Sequence, residues 1–185
     1  MLRSIRIDVL APFLADREVG ILTRGSGLAA VAAARRWSLS GDAGGSIEVD
    51  SVWVHLGPDA VPARIGAGFE MYAEAAEGRH ASTRLTLPDP PEDAGRVPWP
   101  LRATDIDVMG HVNNAAYWSA VEQVLVGCEP DLRRKPVRAR LDYRQPLDLA
   151  DSVELVEAAT GGRVDVGFAV GNTVRAVARV ESITA

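Results

Sequence analysis

Alternating apolar and polar residues predict that the first part of the chain folds as β-strands. The alternation favours strands at residues 4–10, 18–23, 28–39 and 46–56. The alanines of 28–39 also permit a helix, but the strands on either side favour a strand there. Gly25-Ser26-Gly27 and the glycine-rich segment 41–45 are typical of turns, and an irregularity is expected near Ser51. We therefore expect an antiparallel four-strand meander over the first 56 residues.

Apolar residues recur at helical spacing in two later segments. Residues 63–76 predict a short helix. Residues 113–126 predict a longer helix, and Asn113 or Asn114 can cap the free N–H groups of its first turn. A strand over Trp99–Thr104 is expected just before the longer helix.

Four more strands are predicted after the longer helix. They lie at residues 137–144, 152–159, 163–170 and 173–183. Gly161-Gly162 and Gly171-Asn172 stand between the last three of them and are typical of tight hairpin turns. The second half of the chain is therefore predicted to be a helix with an antiparallel sheet.

A proline-rich segment, residues 79–98, separates the two patterns and predicts a linker. The predicted units on either side of it are residues 1–78 and 99–185. Arg6-Ile7-Asp8-Val9 in the first unit is echoed by Arg140-Leu141-Asp142-Tyr143 in the second, which indicates an internal repeat. The second copy follows a strand and a long helix, whereas the first copy stands at the start of the chain.

The repeat predicts that the first unit lacks its opening strand and its central helix. The exposed face of its sheet would then need a cover. The second unit's helix, residues 62–77 or another copy of the chain in a homodimer could supply that cover. A start codon assigned too late is an equal alternative.

Composition narrows the class of protein. The content of 47% apolar and 24% charged residues is ordinary for a globular protein. A net charge of −5 argues against general nucleic-acid binding, which usually needs a basic face. The single cysteine, Cys128, excludes an internal disulfide. Since the sequence shows neither a signal-peptide core nor a long apolar run, we expect a soluble cytoplasmic protein with no membrane partner.

Residues 104–114 hold the densest chemistry in the chain. They contain Asp105, Asp107 and His111 just before the predicted helix. A carboxylate there can act as a nucleophile or general base, while free N–H groups at the helix start can stabilise negative charge on a carbonyl oxygen. This arrangement suits attack on an ester or thioester without a metal or cofactor. Alternatively, one of the aspartates caps the turn and His111 packs against the helix.

The segment Asp105–Tyr117, D-I-D-V-M-G-H-V-N-N-A-A-Y, resembles the signature of hot-dog-fold thioesterases. Among these it is similar to the acyl-acyl carrier protein thioesterases of plants and bacteria, which join two hot-dog units in tandem through a linker. The resemblance implies an α+β hot-dog fold, with an antiparallel sheet around a central helix. It also implies a tandem repeat, of which the first unit is truncated here.

The same resemblance implies roles for particular residues. Asp107, His111 and Asn113 would be catalytic. Asp107 would activate water or attack the thioester carbonyl, backbone N–H groups near Gly110 and His111 would polarise that carbonyl, and His111 would orient the site or assist as a base. The implied substrate-binding residues are Gly110, Asn114, Tyr117 and Trp118. No metal and no cofactor are implied.

Two departures from the family pattern leave alternatives open. Met109 stands where the carrier-protein branch usually has an asparagine, and the acidic residue and cysteine of the plant enzymes are absent from 145–147. A simpler scheme that rests on Asp107 and backbone donors survives. The leading expectation is release of fatty acid from acyl-acyl carrier protein. An acyl-CoA thioesterase and a non-catalytic acyl-binding module are the alternatives.

One basic cluster follows the predicted helix on an otherwise acidic chain. Its members are Arg133, Arg134, Lys135, Arg138, Arg140 and Arg144. The cluster is either a solvated loop and strand face or a docking site for an acidic carrier protein or the phosphates of coenzyme A.

Overall fold

The structure, a computed structural model, describes residues 1–183. The chain divides into two compact units, Met1–Leu85 and Thr86–Ala185, which are described separately below. Among the described residues, no helix combines the length and the apolar character that crossing a bilayer requires.

Unit 1 is an antiparallel sheet with one short helix. Its elements are β1 (Leu2–Ala11), β2 (Val19–Leu28), β3 (Ala32–Gly41), β4 (Ser46–Val54) and α1 (Glu70–Ala76). The four predicted strands are present, but their order is β2-β3-β4-β1. The expected meander is wrong because β1 pairs with β4 and not with β2.

The irregularity expected at Ser51 lies in the neighbouring strand. The register between β1 and β4 shifts between Leu2 and Ser4, which lie opposite Trp53 and Val52. On its other side, β4 pairs with β3 without interruption through Ser51. The extra residue therefore belongs to β1.

The predicted turn at Gly25-Ser26-Gly27 is wrong, since these residues continue β2 with a register shift between the two glycines. Both glycines are needed for close approach. A Cβ on Gly25 would lie 3.1 Å from the Tyr72 ring, and one on Gly27 would lie 3.2 Å from the Ala81 amide nitrogen. A glycine inside a strand often marks such a contact with other backbone or side chains.

The helix predicted at 63–76 is formed only in its second half, as α1. Before α1, the chain bonds to residues just outside the strands: the amide of Ala63 donates to the carbonyl of His55, which follows β4, at 3.0 Å, and that of Ile65 donates to Ala30, between β2 and β3, at 2.9 Å. Gly68 then takes a φ of +109°, a conformation that a helix cannot contain. The apolar spacing over residues 63–69 therefore does not mark a helix face.

Unit 2 is a larger antiparallel sheet with one long helix. Its elements are β5 (Gly95–Pro98), α2 (Asn114–Cys128), β6 (Val137–Tyr143), β7 (Val153–Thr160), β8 (Arg163–Val170) and β9 (Thr173–Ser182), with short 3₁₀ turns at Ala103–Asp105 and Pro130–Arg134. The strand order is β6-β9-β8-β7-β5. The predictions of the long helix and of the four strands after it are confirmed.

Residues 79–98 do not form a separate linker. The boundary in the chain between the two units lies between Leu85 and Thr86, and β5 belongs to the sheet of unit 2 through its pairing with β7. The strand predicted at Trp99–Thr104 is also wrong, because β5 ends at Pro98 and only the Trp99 amide continues the pairing, to the Val153 carbonyl at 2.8 Å. Pro98 and Pro100 have no N–H to extend the ladder.

The core of unit 2 lies between α2 and its sheet. The helix buries the residues Ala116, Tyr117, Ala120, Val121, Val124 and Leu125. The Tyr117 ring lies 4.9 Å from Phe168 on β8 and 5.2 Å from Tyr143 on β6, centroid to centroid. Trp99 packs edge-on against Phe168 at 5.3 Å. Edge contacts between buried rings favour one orientation of the helix on the sheet, and this orientation sets where the N-terminus of α2 lies.

Candidate active site

Asp107 and His111 face each other across a small hairpin just before α2. Ile106 pairs with Val112 as an antiparallel bridge, and the Asp107 amide donates to the His111 carbonyl at 2.8 Å. The turn closes when the Gly110 amide donates to the Asp107 carbonyl at 3.0 Å, with Gly110 at a φ of +86°. The four-residue spacing between the two side chains is therefore the spacing of a tight turn, and glycine suits its last position.

Asp107 uses only one of its two carboxylate oxygens inside the loop. Oδ1 accepts hydrogen bonds from the amides of Met109 at 2.8 Å and His111 at 3.3 Å. No group in the part of the chain that the structure describes donates to Oδ2. The half-buried carboxylate is thus fixed in orientation and keeps one oxygen available to a water molecule or a substrate.

His111 is held by a carboxylate that the sequence did not single out. Its Nδ1 lies 2.6 Å from Oδ1 of Asp148, and the two side chains are 49% and 53% exposed. The Asp148 amide donates to Asp151 at 2.8 Å, and Asp151 is held in turn by Arg175 at 2.8 Å. Asp148 comes one residue after the window 145–147, in which the family pattern implied an acidic residue. A search of the residues next to that window would have found Asp148.

Asp105 has a structural role. It is only 4% exposed and accepts from the Arg102 guanidinium at 2.7 Å and the Arg102 amide at 2.8 Å. Its hydrogen bonds with the Arg102 side chain lower the pKa of Asp105 below its ordinary value. The Asp105 carbonyl also accepts from the Asn113 amide at 2.7 Å, which ties the start of the loop to the start of α2. Of the two aspartates, Asp105 therefore stabilises the loop, whereas Asp107 keeps one carboxylate oxygen available for a further hydrogen bond.

Asn113 is the N-cap of α2, as its sequence position predicted. Its side-chain Oδ1 accepts from the Ala115 amide at 2.9 Å, and its carbonyl accepts from Ala116 at 2.9 Å. These bonds satisfy two of the donors that a helix leaves free at its start. The side chain predicted to be catalytic is therefore engaged in holding the helix end.

The backbone amides that the resemblance implied as donors already have acceptors within the loop. The amides of Gly110 and His111 both bond to Asp107 and are not available to a carbonyl. Within residues 107–116, all of which the structure describes, only the amides of Val108 and Asn114 have no acceptor. Asn114 opens α2, where the aligned peptide dipoles favour negative charge. It is thus the better placed donor for a developing oxyanion.

The predicted substrate-binding residues fall into two groups. Gly110 and Asn114 are exposed at the hairpin and the helix start. Tyr117 is 2% exposed within the ring cluster of the core, and burial raises the pKa of its hydroxyl well above the ordinary value. Trp118, the next residue, is half-buried. Packing explains Tyr117, and the other three remain candidates for substrate contact.

Some members of the basic cluster form ion pairs and others do not. Arg140 pairs with Glu181 at 3.2 Å, and Arg144 pairs with Asp89. The residues Arg133, Arg134 and Lys135 are exposed at the end of the second 3₁₀ turn, and no described acidic side chain pairs with them. The cations available to a partner are thus those of 133–135.

The second half of this chain matches the model of a known family. The acyl-ACP thioesterase C-terminal domain matches residues 89–178. An uncharacterized protein of Mycobacterium tuberculosis, Rv2001, is 31% identical over 180 residues, which cover 96% of this chain and 71% of that protein. The similarity to this relative therefore extends over both units.

Two solved structures share the fold at lower identity. The 12:0-ACP thioesterase from Umbellularia californica matches with a TM-score of 0.78 and 17% identity, over 98% of this chain and 74% of its own. An acyl-ACP thioesterase from Bacteroides thetaiotaomicron matches with a TM-score of 0.72 and 16% identity, over 98% and 75% of the two chains. The sheet around α2 is therefore a hot-dog fold, and the chain belongs to the acyl-ACP thioesterase family.

Proposed function

We propose that this protein hydrolyses the thioester of a fatty acyl group carried on acyl carrier protein. The observation that supports it best is the hairpin that presents the Asp107 carboxylate and the His111 imidazole together, just before the free amide of Asn114. A base, a second proton-transfer group and an oxyanion donor are the parts that acyl transfer to water requires.

The reaction divides among these groups. Oδ2 of Asp107 accepts a proton from a water molecule as the water oxygen attacks the thioester carbonyl carbon. The Asn114 amide donates to the carbonyl oxygen as it becomes negative, and the N-terminal end of α2 stabilises that charge. When the C–S bond breaks, the sulfur leaves as a thiolate and takes up a proton, which yields a fatty acid and a free thiol.

His111 has a supporting role in this scheme. A carboxylate can only accept hydrogen bonds, so an ionised Asp148 requires a proton on Nδ1 of His111. Nε2 of the neutral ring is then free to accept a proton from water or to exchange one with the leaving thiol. Asp148 acts through His111 and is a positioning residue.

The charge distribution of the chain supports acyl carrier protein as the carrier of the acyl group. The chain has a net charge of −5, so an acidic carrier protein would be repelled by most of it. The unpaired cations of 133–135 offer a local surface of opposite sign, and it follows α2 directly in the chain. Carrier docking at these residues would increase the rate of encounter and fix the orientation of the thioester.

A second candidate is an acyl-thioester binding module without turnover. One observation favours it: Oδ1 of Asp107 accepts hydrogen bonds from two backbone amides. An aspartate with a purely structural role in a turn makes the same bonds. Met109, in place of the usual asparagine of the family, points the same way. This module would bind acyl thioesters and release no fatty acid.

The substitution Asp107→Asn separates the two candidates. Asparagine keeps an oxygen that can accept from the Met109 and His111 amides, so the loop should be retained while the basic carboxylate is lost. We expect kcat on acyl carrier protein thioesters to fall at least about 100-fold. Asp93→Asn, an exposed aspartate outside the site, is the matched control and should retain full activity. Wild-type protein that binds acyl thioesters but releases no acid would support the binding module.

The carrier is tested by a separate variant. Replacement of Arg133, Arg134 and Lys135 by alanine should raise KM for the carrier-protein thioester about tenfold or more and make it less dependent on salt. Arg17→Ala, an exposed cation in unit 1, is the control. Equal effects on a short pantetheine thioester would contradict carrier docking, and faster turnover of acyl-CoA would identify coenzyme A as the preferred carrier.

A further inference from the structure

The outer edge of β2 is a long, exposed strand edge. β2 is the end strand of its unit and forms its ladder with β3; on its outer side only its last residue, Leu28, is bridged among the described residues, to His80. Its residues Val19–Arg24 are all exposed, including Ile21 at 66% and Leu22 at 62%. An edge of this kind, without proline or lysine, readily pairs with another strand.

The register with β3 shows which backbone groups of β2 point outward. The Asp42 amide donates to the Glu18 carbonyl at 3.1 Å, so this opposed pair is hydrogen-bonded. Hydrogen-bonded pairs alternate along an antiparallel ladder, and the register is regular from Val19 to Gly25. The even-numbered residues therefore bond to β3, and the amides and carbonyls of Val19, Ile21 and Thr23 face away from the sheet.

We propose that a second copy of the chain pairs with this edge, antiparallel and about a two-fold axis at Ile21. Ile21 then lies opposite Ile21 of the second copy, and Val19 lies opposite Thr23. These opposed pairs use the outward backbone groups of both copies and form about six main-chain hydrogen bonds. The sheet of unit 1 would continue from one copy into the other.

The charges at the two ends of this segment select the register. In the pairing centred on Ile21, Glu18 lies opposite Arg24 of the second copy, and symmetry repeats the pair. Neither side chain has an ion-pair or hydrogen-bond partner among the residues that the structure describes. A shift of two residues, which the backbone pattern also allows, would place Glu18 opposite an apolar or uncharged residue and lose both pairs.

The apolar residues fit the same register. Directly opposed residues lie on the same face of a sheet, so Leu22 would lie over Gly20 of the second copy, where no side chain obstructs it. On the other face, the two Ile21 side chains would meet at the axis. A strand that matches itself in backbone, charge and side-chain volume favours a second copy of the chain as the occupant.

Charge reversal tests the register in solution. Glu18→Arg would place arginine opposite Arg24, and Arg24→Glu would place glutamate opposite Glu18. Each single variant should weaken the dimer about tenfold, measured by sedimentation velocity over a range of concentrations. The double variant Glu18→Arg/Arg24→Glu restores both pairs and should restore the dimer. A monomeric wild type, or a double variant no better than the single ones, would overturn the proposal.

A cysteine at the axis gives an independent test. In a Cys128→Ser background, Ile21→Cys should form a disulfide between copies under mild oxidation, because opposed Cα atoms lie about 5.5 Å apart in a hydrogen-bonded pair. Thr23→Cys is the control. Its two copies would lie about 13 Å apart along the strand, too far for a disulfide. Cross-linking at both positions, or at neither, would contradict this pairing.

Proline scanning distinguishes the outer edge from the inner one. Ile21→Pro removes an outward amide and should abolish the dimer while the melting temperature changes little. Leu22→Pro removes an amide that bonds to β3 and should destabilise unit 1 itself. A dimer that survives Ile21→Pro would have to use another surface, and the proposal would be wrong.

Discussion

Nδ1 of His111 lies 2.6 Å from Oδ1 of Asp148, a residue 37 positions further along the chain. The contact forms where His111 and Asp148 pair as an antiparallel bridge and the Val112 amide donates to the Leu147 carbonyl at 2.8 Å. The segment after β6 therefore supplies the group that orients the imidazole.

Asp148→Asn should lower kcat by about tenfold and leave KM unchanged. The amide side chain cannot stabilise a proton on Nδ1 as a carboxylate does, so the free ring nitrogen of His111 would be less well defined. Steady-state kinetics on an acyl thioester measure the effect, with exposed Leu149→Ala as the control. A rise in KM with normal kcat would instead assign Asp148 to substrate binding.

The free amide of Asn114 can be removed without loss of the helix. Proline is favoured at the first helical position, and Asn113 already has the extended conformation that a following proline requires, with φ −58° and ψ 137°. Asn114→Pro should reduce kcat about 100-fold, the usual effect of one lost oxyanion donor.

Asn114→Ala is the matched control for the proline variant, because it removes the side chain and keeps the amide. It should retain most of the activity. If alanine and proline were equally harmful, the side chain of Asn114 and not its amide would be the functional group.

Two substitutions of Asn113 test whether its side chain caps the helix or takes part in catalysis. Asn113→Asp keeps an acceptor for the Ala115 amide and should remain both stable and active. Asn113→Ala should cost about 1 kcal/mol of folding free energy. Thermal melting and thioesterase assays on the two variants separate the roles, since a catalytic amide would be lost in both.

The pair of Asp105 and Arg102 predicts a dependence of stability on pH. Because the folded-state pKa of Asp105 is lowered, the pair stabilises the fold above the unfolded-state pKa of aspartate, about 3.9, and this stabilisation is lost as pH falls through the folded-state pKa. Asp105→Asn should therefore cost about 2 kcal/mol at pH 7 and progressively less below pH 4. Denaturant unfolding at several pH values measures this, and a constant difference would contradict it.

Periodicity predicted the sheet and helix of unit 2 well because each of these elements buries a continuous face. Strands β6 to β9 and helix α2 appear close to their predicted bounds. The failures occur where distant residues decide the local structure. In isolation, Gly25 and Gly27 are typical of a turn. In the fold they continue β2, and their lack of a side chain allows Tyr72 and Ala81 to pack closely against the strand.

The site was predictable only as far as its own short segment. The segment contains Asp107 and His111, and the turn between them needs no distant contact. Its backbone bonding was not predictable from residue types, which is why the expected donors, Gly110 and His111, differ from the free amide of Asn114. Asp148 was missed because its role depends on a pairing between segments far apart in sequence.

Main-chain hydrogen bonds close the hairpin that contains Asp107 and His111. At its base the Asn113 amide donates to the Asp105 carbonyl at 2.7 Å, and at its turn the Gly110 amide donates to the Asp107 carbonyl at 3.0 Å. Ordering a free loop costs about 1–2 kcal/mol of conformational entropy per residue, and here folding has already met that cost. In the proposed reaction, an arriving thioester would therefore meet groups that need little further ordering. The amides of Asp107 and Gly110, which already have acceptors within the loop, should exchange with deuterium as slowly before a substrate analogue binds as after.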